Sequence, residues 1–482
     1  MASHIDRNEQ PTYLGGSMRM HPHHSAVAYR IRHRILRLVA CIVIAVLAFG
    51  GAAAYATWLN INGVVQTNRV ESLVEGGEDE VLDPNSGKAI SFVVIGQDTR
   101  DGDNAALSGG TEADIGLHNA DTTMVVEIGP NRQFINIVSI PRDSIVDVPS
   151  CRTSKGTVPA QYGIMFNTIF STAYQEGGDL SSAASCTVNA VNALTGLHIS
   201  NFIVVDFKGL TDMIDALGGV DVCIPVDTVD ANTELDLKKG MQHLDGRQAT
   251  NYARMRKGTG TDGSDIMRTT RQQYLIKSIF REAISKNLFT QTSQLYQLAI
   301  AALNSLNISD GMANTNALMG LAFSLRNLQF SHIYAQTVPI IQAPFDPNRV
   351  VWADSAKEVW KKFQEDKPLY GDDSSDQEEA QGNGSTASAS PSESASQEPE
   401  PTPEGSSSEE SSPAPSSTPT PTVDPVTGLI TMPDGTLVDP NTNGIVDPEN
   451  GTIKDQDTGQ YIGIADDYLN NTVCAVQPNK QD

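Results

Sequence analysis

Hydrophobic positions along this chain fall into three regimes. From Leu38 to Leu59 the residues LVACIVIAVLAFGGAAAYATWL run for 22 positions without a charge, about 33 Å as a helix against a hydrocarbon core of about 30 Å. The run exceeds the roughly 7–15 apolar residues of a cleaved signal peptide, so it predicts one membrane span. Between residues 88 and 364, β-branched runs alternate with amphipathic stretches. SFVVIG (91–96), TTMVVEI (122–128), FINIVSI (134–140), FIVVDF (202–207) and VDVCIP (220–225) predict strands. Residues 165–176, 181–195, 208–217, 265–285 and two segments between 291 and 327 predict helices. The helix over 208–217 spaces Leu210, Met213, Ile214 and Leu217 along one side and stops at Gly218-Gly219. Interleaved elements of this kind predict an α/β domain, a single mixed β-sheet covered by helices on both faces in an α-β-α sandwich.

The third regime begins near residue 365, where Ser, Pro and acid replace large apolar residues up to about residue 424. Such a stretch buries too little surface to offset its ordering entropy and predicts a disordered spacer. Beyond it, residues 425–482 repeat an apolar pair, an Asp-Pro or Asp-Gly turn and a glycine; this reads as a small hairpin array or an unfolded tail. The expected organisation is a cytoplasmic segment (1–37), the span (38–59), a linker (60–87), the main domain (88–364), the spacer (365–424) and the repeat tail (425–482).

Charge sharpens this division. Of the net −25, the residues from Gly371 onward carry −19, with 21 acids against two lysines. Arginine clusters in the main domain therefore stand on a nearly balanced background and point to an anionic ligand, not to nucleic acid. RIRHRILR precedes the span and few basic residues follow it closely, so the positive-inside rule predicts a cytoplasmic N-terminus with the main domain outside. The cysteines fit an oxidising compartment, with Cys151 and Cys186 the preferred disulfide. No CxxC or Cys/His spacing suggests zinc.

The densest cationic stretch is NYARMRKGTGTDGSDIMRTTRQQ (251–273). Asn251 to Arg256 reads as extended, which would turn Tyr252, Arg254 and Arg256 to one side. Ser264-Asp265 reads as a helix N-cap, leaving Arg268 and Arg271 in the first two turns, where the helix dipole disfavours cations unless an anion binds nearby. QDTRDGD and PRDS follow two strands, so Asp98, Arg100, Arg142 and Asp143 stand at strand ends, where α/β sheets bind ligands. Asp121 would meet Asp98 if their strands are antiparallel neighbours. Carboxylates that hold a hard divalent cation, beside guanidiniums that fork onto phosphate oxygens, suit a pyrophosphate. GxxxxGK[ST], GxGxxG and GxSxG fingerprints are absent.

The ordered set VVIGQDTRDG, NADTTMVVEI, VSIPRDSIVDVP, FNTIFSTAYQEGG, VVDFKGLTDMIDALGGVDVCIP and LDGRQATNYARMRKGTGTDGSDIMRTTRQQ resembles the LytR-CpsA-Psr family of bacterial cell-wall glycopolymer transferases. The resemblance implies an outward-facing, membrane-anchored phosphotransferase that moves a glycopolymer from a polyprenyl pyrophosphate carrier to peptidoglycan. By motif position it implies Asp98 and Asp121 as ligands of Mg2+ or Mn2+, and Arg100, Arg142, Arg254 and Arg256 as holders of the pyrophosphate. Arg268, Arg271 and Gln272 are further contributors, Asn167 and Asp265 belong to the substrate-binding set, and Asp98 or Asp143 could act as base. Two positions depart from the family pattern, Asn119 and Met165, where arginine and lysine are common. Phe207, Leu210, Ile214 and Leu217 could line a prenyl slot or simply pack in the core. A receptor that grips such polymers without turnover and a pyrophosphatase are the alternative functions.

Overall fold

The computed structural model describes residues 23–74, 86–101, 104–105, 116, 118–285, 292–371 and 421–475; of 23–35 and 292–295 only the helical backbone is described. The N-terminal residues 1–22 and most of the expected spacer, 372–420, lie outside the described residues. The first helix, α1 (His23–Thr67), contains one segment, Leu36–Thr67, apolar and long enough to cross a membrane, with a mean hydropathy of 2.4. Cys41, on this helix, is free. The chain divides after Ile61, and the described residues from Asn62 onward form one unit.

That unit is built on a seven-stranded mixed sheet. In chain order its strands are β1 (Arg69–Val70), β2 (Ile90–Thr99), β3 (His118–Ile128), β4 (Ile135–Ile140), β5 (Asn201–Asp206), β6 (Leu306–Ser309) and β7 (Ile333–Thr337). Across the sheet they run β1-β6-β5-β2-β3-β4-β7. The inner strands are buried on both faces, as their continuous apolar runs require. Val93, Ile95, Val125, Val138, Phe202 and Val204 pack one way with α2 (Asn167–Gly177) and α3 (Leu180–Thr195). Phe92, Met124, Val126, Ile135 and Ile137 pack the other way with Met312, Ala317 and Leu321. The single mixed sheet with helices on both faces is therefore present. VDVCIP forms a strand, but its Val220–Ile224 pairs with Gly240–Leu244 in a separate hairpin outside the sheet.

Local chemistry explains the element ends. Asp179 caps α3 by accepting from Ser182 N at 2.8 Å, and Asp206 caps α4 (Phe207–Leu217) by accepting from Gly209 N at 2.7 Å. Gly218, at φ 85, closes α4 in the left-handed region. Ile214 and Leu217 are fully packed into the core. Cys151 is bonded to Cys186 as expected, and a second disulfide joins Cys223 to Cys474.

The repeat tail is an ordered six-stranded meander spanning Thr422–Ile464, followed by a short helical segment to Val473. Its regularity comes from the turns. Asp424, Asp434 and Asp447 each accept from the backbone two residues on, at 2.8, 2.9 and 2.8 Å, and Asp455 accepts from Thr458 N at 2.7 Å.

Candidate active site

The site lies at one end of the sheet's central strands. Strand β2 ends there with Asp98 and Thr99, antiparallel β3 begins there with His118, and β4 leaves there into Pro141, Arg142 and Asp143. In the β2–β3 ladder Gly96 faces Thr122 while Gln97 faces Ala120. Asp121 is thus the extra residue of a β-bulge, withdrawn from the ladder and re-aimed, with its own carbonyl left for a side-chain donor. Asp98 stands opposite Asn119, close to it, as expected for antiparallel neighbours.

Asp121 is clamped from two sides. Arg142 donates to its Oδ1 at 2.7 Å, and Arg268 donates to its Oδ2 at 3.2 Å and to its carbonyl at 3.0 Å. Arg142 Nε also lies 3.4 Å from Asp265 Oδ1, which Arg268 bonds as well. Burial alone would raise the Asp121 pKa, but Arg268 and Arg142 hold it below the usual carboxylate range. Asp98 goes the other way: burial and then the charge of Asp121 raise it, against the pull of Arg100, Arg254 and Arg268. Its Oδ1 is buried with no hydrogen-bond partner.

The stretch 251–256 corrects the sequence reading. Gly246–Arg254 is a helix, α5, not a strand, started by a capping box in which Asp245 and Gln248 satisfy each other's backbone N–H. Tyr252 is consequently buried in the core, 4 % exposed, rather than facing the site with the two arginines. Arg254 ends α5 with its guanidinium 4.4 Å above the Phe207 ring and within the field of Asp98 and Arg100. Arg256 lies two residues on, beside Arg142, Arg268 and Asp265; burial and then these two cations lower its pKa.

The expected N-cap is present: Ser264 Oγ accepts from Met267 N at 3.1 Å and opens α6 (Asp265–Ser285). Arg268 and Arg271 nevertheless diverge. Arg268, 3 % exposed, reaches Asp121, whereas Arg271, 6 % exposed, donates to the Met255 carbonyl and so anchors the connection between Arg254 and Arg256. Gln272 accepts from Thr122 Oγ1 at 2.9 Å and donates to the Ala253 carbonyl at 3.1 Å, tying β3 to α5. Asn167 is held by its backbone to the Arg142 carbonyl at 3.1 Å, and its Oδ1 is buried without a partner. Arg349, missed in the sequence, lies 3.3 Å from Asp143. It sits on a strand, Asp346–Trp352, that nothing near the arginine motifs announces.

Arg100, Arg142, Arg254, Arg256, Arg268 and Arg349 thus gather with Asp98, Asp121, Asp143 and Asp265. Asp346, 3.9 Å from Arg349, is a fifth carboxylate, and the six cations still leave net positive charge for a bound anion. Of the described residues, no three His, Cys, Asp or Glu form a metal cluster; a cation here would have Asp98 and Asp121 plus ligand oxygens, which is how Mg2+ is commonly held.

A family model matches residues 57–365, the greater part of the chain. The chain belongs to the LytR_cpsA_psr family. Curated relatives include the probable cell wall biosynthesis protein LcpB of Corynebacterium glutamicum, 28% identical over 56% of this chain and 59% of that protein. LcpA, a cell wall biosynthesis protein of the same organism, is 25% identical over 72% of this chain and 69% of its own length. TagV of Bacillus subtilis, named polyisoprenyl-teichoic acid--peptidoglycan teichoic acid transferase, is 27% identical over 59% of this chain and 66% of its own. The chain thus spans about 60–70% of the length of these LytR_cpsA_psr relatives.

Proposed function

We propose that this protein is a membrane-anchored phosphotransferase that moves a glycopolymer from a polyprenyl pyrophosphate carrier onto peptidoglycan, leaving a phosphodiester link. The observation that carries the reading is the convergence of arginines from four separate stretches beside a buried, unpartnered carboxylate oxygen of Asp98. The donor and acceptor in TagV's name support the substrate classes. Two disulfides fit an oxidising compartment, and the arginines before the apolar helix fit a cytoplasmic N-terminus, so the transferase unit would face outward.

In this reading Arg254 and Arg256, half-buried and in the field of neighbouring cations as well as carboxylates, bind the diphosphate, while Arg142 and Arg268 fix Asp121 and lend it their field. An acceptor sugar hydroxyl attacks the phosphorus nearer the glycopolymer; the bond from that phosphorus to the bridging oxygen breaks and polyprenyl phosphate leaves. The hydroxyl proton passes to a carboxylate. Asp98, with raised proton affinity, suits this better than Asp143, which Arg349 and Arg142 engage. Asp98 and Asp121 would hold Mg2+ or Mn2+, which when bound offsets charge growing on the phosphoryl oxygens. The surrounding guanidiniums do the same without reorganising.

The test is product analysis with the full chain, a polyprenyl pyrophosphate glycan, an acceptor glycan and Mg2+. A phosphodiester-linked product supports the reading. Substrate bound but unchanged would replace it with a receptor, and free phosphorylated glycan with a pyrophosphatase.

A further inference from the structure

Helix α6 has two faces of work along its length. Its first turns carry Arg268, Arg271 and Gln272 into the site, and the turns that follow carry Tyr274 and Lys277 into the C-terminal segment. The Tyr274 hydroxyl donates to Asn470 Oδ1 at 2.7 Å and accepts from Cys223 N at 2.9 Å. Lys277 is paired with Asp466, itself 6 % exposed. Leu469 is inserted among Ile214, Val222, Tyr274 and Leu275, so this end of the chain completes a core instead of resting on a surface. Five residues later Cys474 is bonded to Cys223. Ahead of α6, Tyr461 lies near Asp262, in the turn that joins Arg256 to the helix, and the Asp262 charge adds to burial in raising the tyrosine pKa.

We infer that residues 461–474 are a positioning element of the transferase site, latched by Cys223–Cys474, which fixes the axial placement of α6 so that Arg268 reaches Asp121. The inference rests on the function proposed above. Two bonds from Arg268 to Asp121 lie at 3.0 and 3.2 Å, and hydrogen bonds weaken quickly with distance and angle. A slide of α6 by a fraction of a turn would break them while leaving the sheet intact. The C-terminal segment opposes such a slide at two points, an ion pair and a hydrogen bond, on the same helix. The disulfide adds a short tether to the long one that residues 372–420 make in sequence, and so raises the effective concentration of the segment at its seat.

The experiment uses the full chain with Cys474→Ser, Asn470→Ala, Lys277→Asp and the charge-swapped pair Lys277→Asp with Asp466→Lys. Expected for the first three is a fall in kcat of about tenfold to a hundredfold with KM for the donor changed far less. The swap is expected to recover most of the loss relative to Lys277→Asp, which simple loss of folded protein would not do. Hydrogen exchange is expected to rise over 262–272 in the single variants, with the strands of the sheet unchanged. Unchanged kcat, or a fall that only follows the folded fraction with no local rise in exchange, would overturn the inference. If the unmodified chain shows no transfer at all, the proposed reaction fails, and exchange over 262–272 still decides the positioning role: raised exchange upholds it and unchanged exchange overturns it.

Discussion

Replacing Asp98 with asparagine should make the protein more stable and inactive at once. Asp98 is half-buried beside Asp121, one of its carboxylate oxygens is buried and has no partner, and its proton affinity is raised despite three nearby arginines. Ionised Asp98 therefore costs stability: the cost is absent below its unfolded pKa and grows as pH rises through the raised folded value. Asparagine keeps the shape and removes the charge. An unsatisfied buried group costs about 1–3 kcal/mol, so Asp98→Asn is expected to gain about 1–2 kcal/mol, a rise in Tm of about 2–4 °C. The assay is thermal unfolding of the full chain in detergent at pH 7.5, first with EDTA and then with Mg2+. In EDTA the variant should melt above the parent. With Mg2+ at 100 times its Kd the parent should gain about 2.7 kcal/mol, the variant little, and transfer should be lost. A variant that melts below its parent in EDTA would refute the charge argument, and an equal Mg2+ response in both would remove Asp98 from the metal set.

Three further outcomes follow from other residues. Glu127, 1 % exposed, is pushed up from the ordinary 4.5 to about 8, first by burial and then by Asp366; stability should fall as pH rises from about 4.5 to about 8, by up to about 5 kcal/mol. Urea unfolding at several pH values should show that slope, and Glu127→Gln should flatten it. Arg256→Met should abolish transfer yet leave stability equal or slightly higher, because burial and the Arg142 and Arg268 charges already disfavour this cation; a loss beyond about 1 kcal/mol in denaturant titration would contradict that. Removing the Cys151–Cys186 bridge, which closes a loop of 35 residues' separation, should cost about 4 kcal/mol in the same titration.

The four strands β2, β3, β4 and β5 were legible because they are continuous β-branched runs, and α4 because it ends on paired glycines, signals that act locally; the short β1, β6 and β7 carry no such run. Misreading α5 as a strand has a local cause too. Asn251 to Arg256 alternates in polarity over too few residues to discriminate a period of 2 from 3.6, whereas Asp245 and Gln248, three apart, form a capping box that was there to be read. Asp121 was placed correctly by strand pairing, but its bulge is a property of the ladder, not of its neighbours in sequence. Arg349 and the Cys223–Cys474 bond belong to the same class: 206 residues separate Arg349 from Asp143 and 251 separate the two cysteines. Contacts at that range depend on the packed fold, which no single-chain periodicity encodes.

The arginines divide by what they hold. Arg142 and Arg268 are spent on Asp121 and Asp265, and Arg271 on a main-chain carbonyl, so these three give the site its rigidity. Burial lowers the pKa of Arg254 and of Arg256; Asp98 and Asp121 offset part of this for Arg254, against Arg100, while Arg142 and Arg268 add to it for Arg256 against Asp265 and Asp143, so each is a cation held at a cost. Under the proposed function a bound diphosphate would offset that cost, and affinity and preorganisation would then come from different residues of the cluster. The division has a measurable edge. Substituting Arg268 by lysine keeps the charge but loses the fork that spans the Asp121 carboxylate and its carbonyl, so it should lower stability by about 2–3 kcal/mol. Substituting Arg254 by lysine should weaken donor binding and leave the denaturant midpoint nearly unchanged. If the two variants exchanged those signatures, with Arg254 governing stability and Arg268 governing affinity, the assignment of roles within the cluster would have to be reversed.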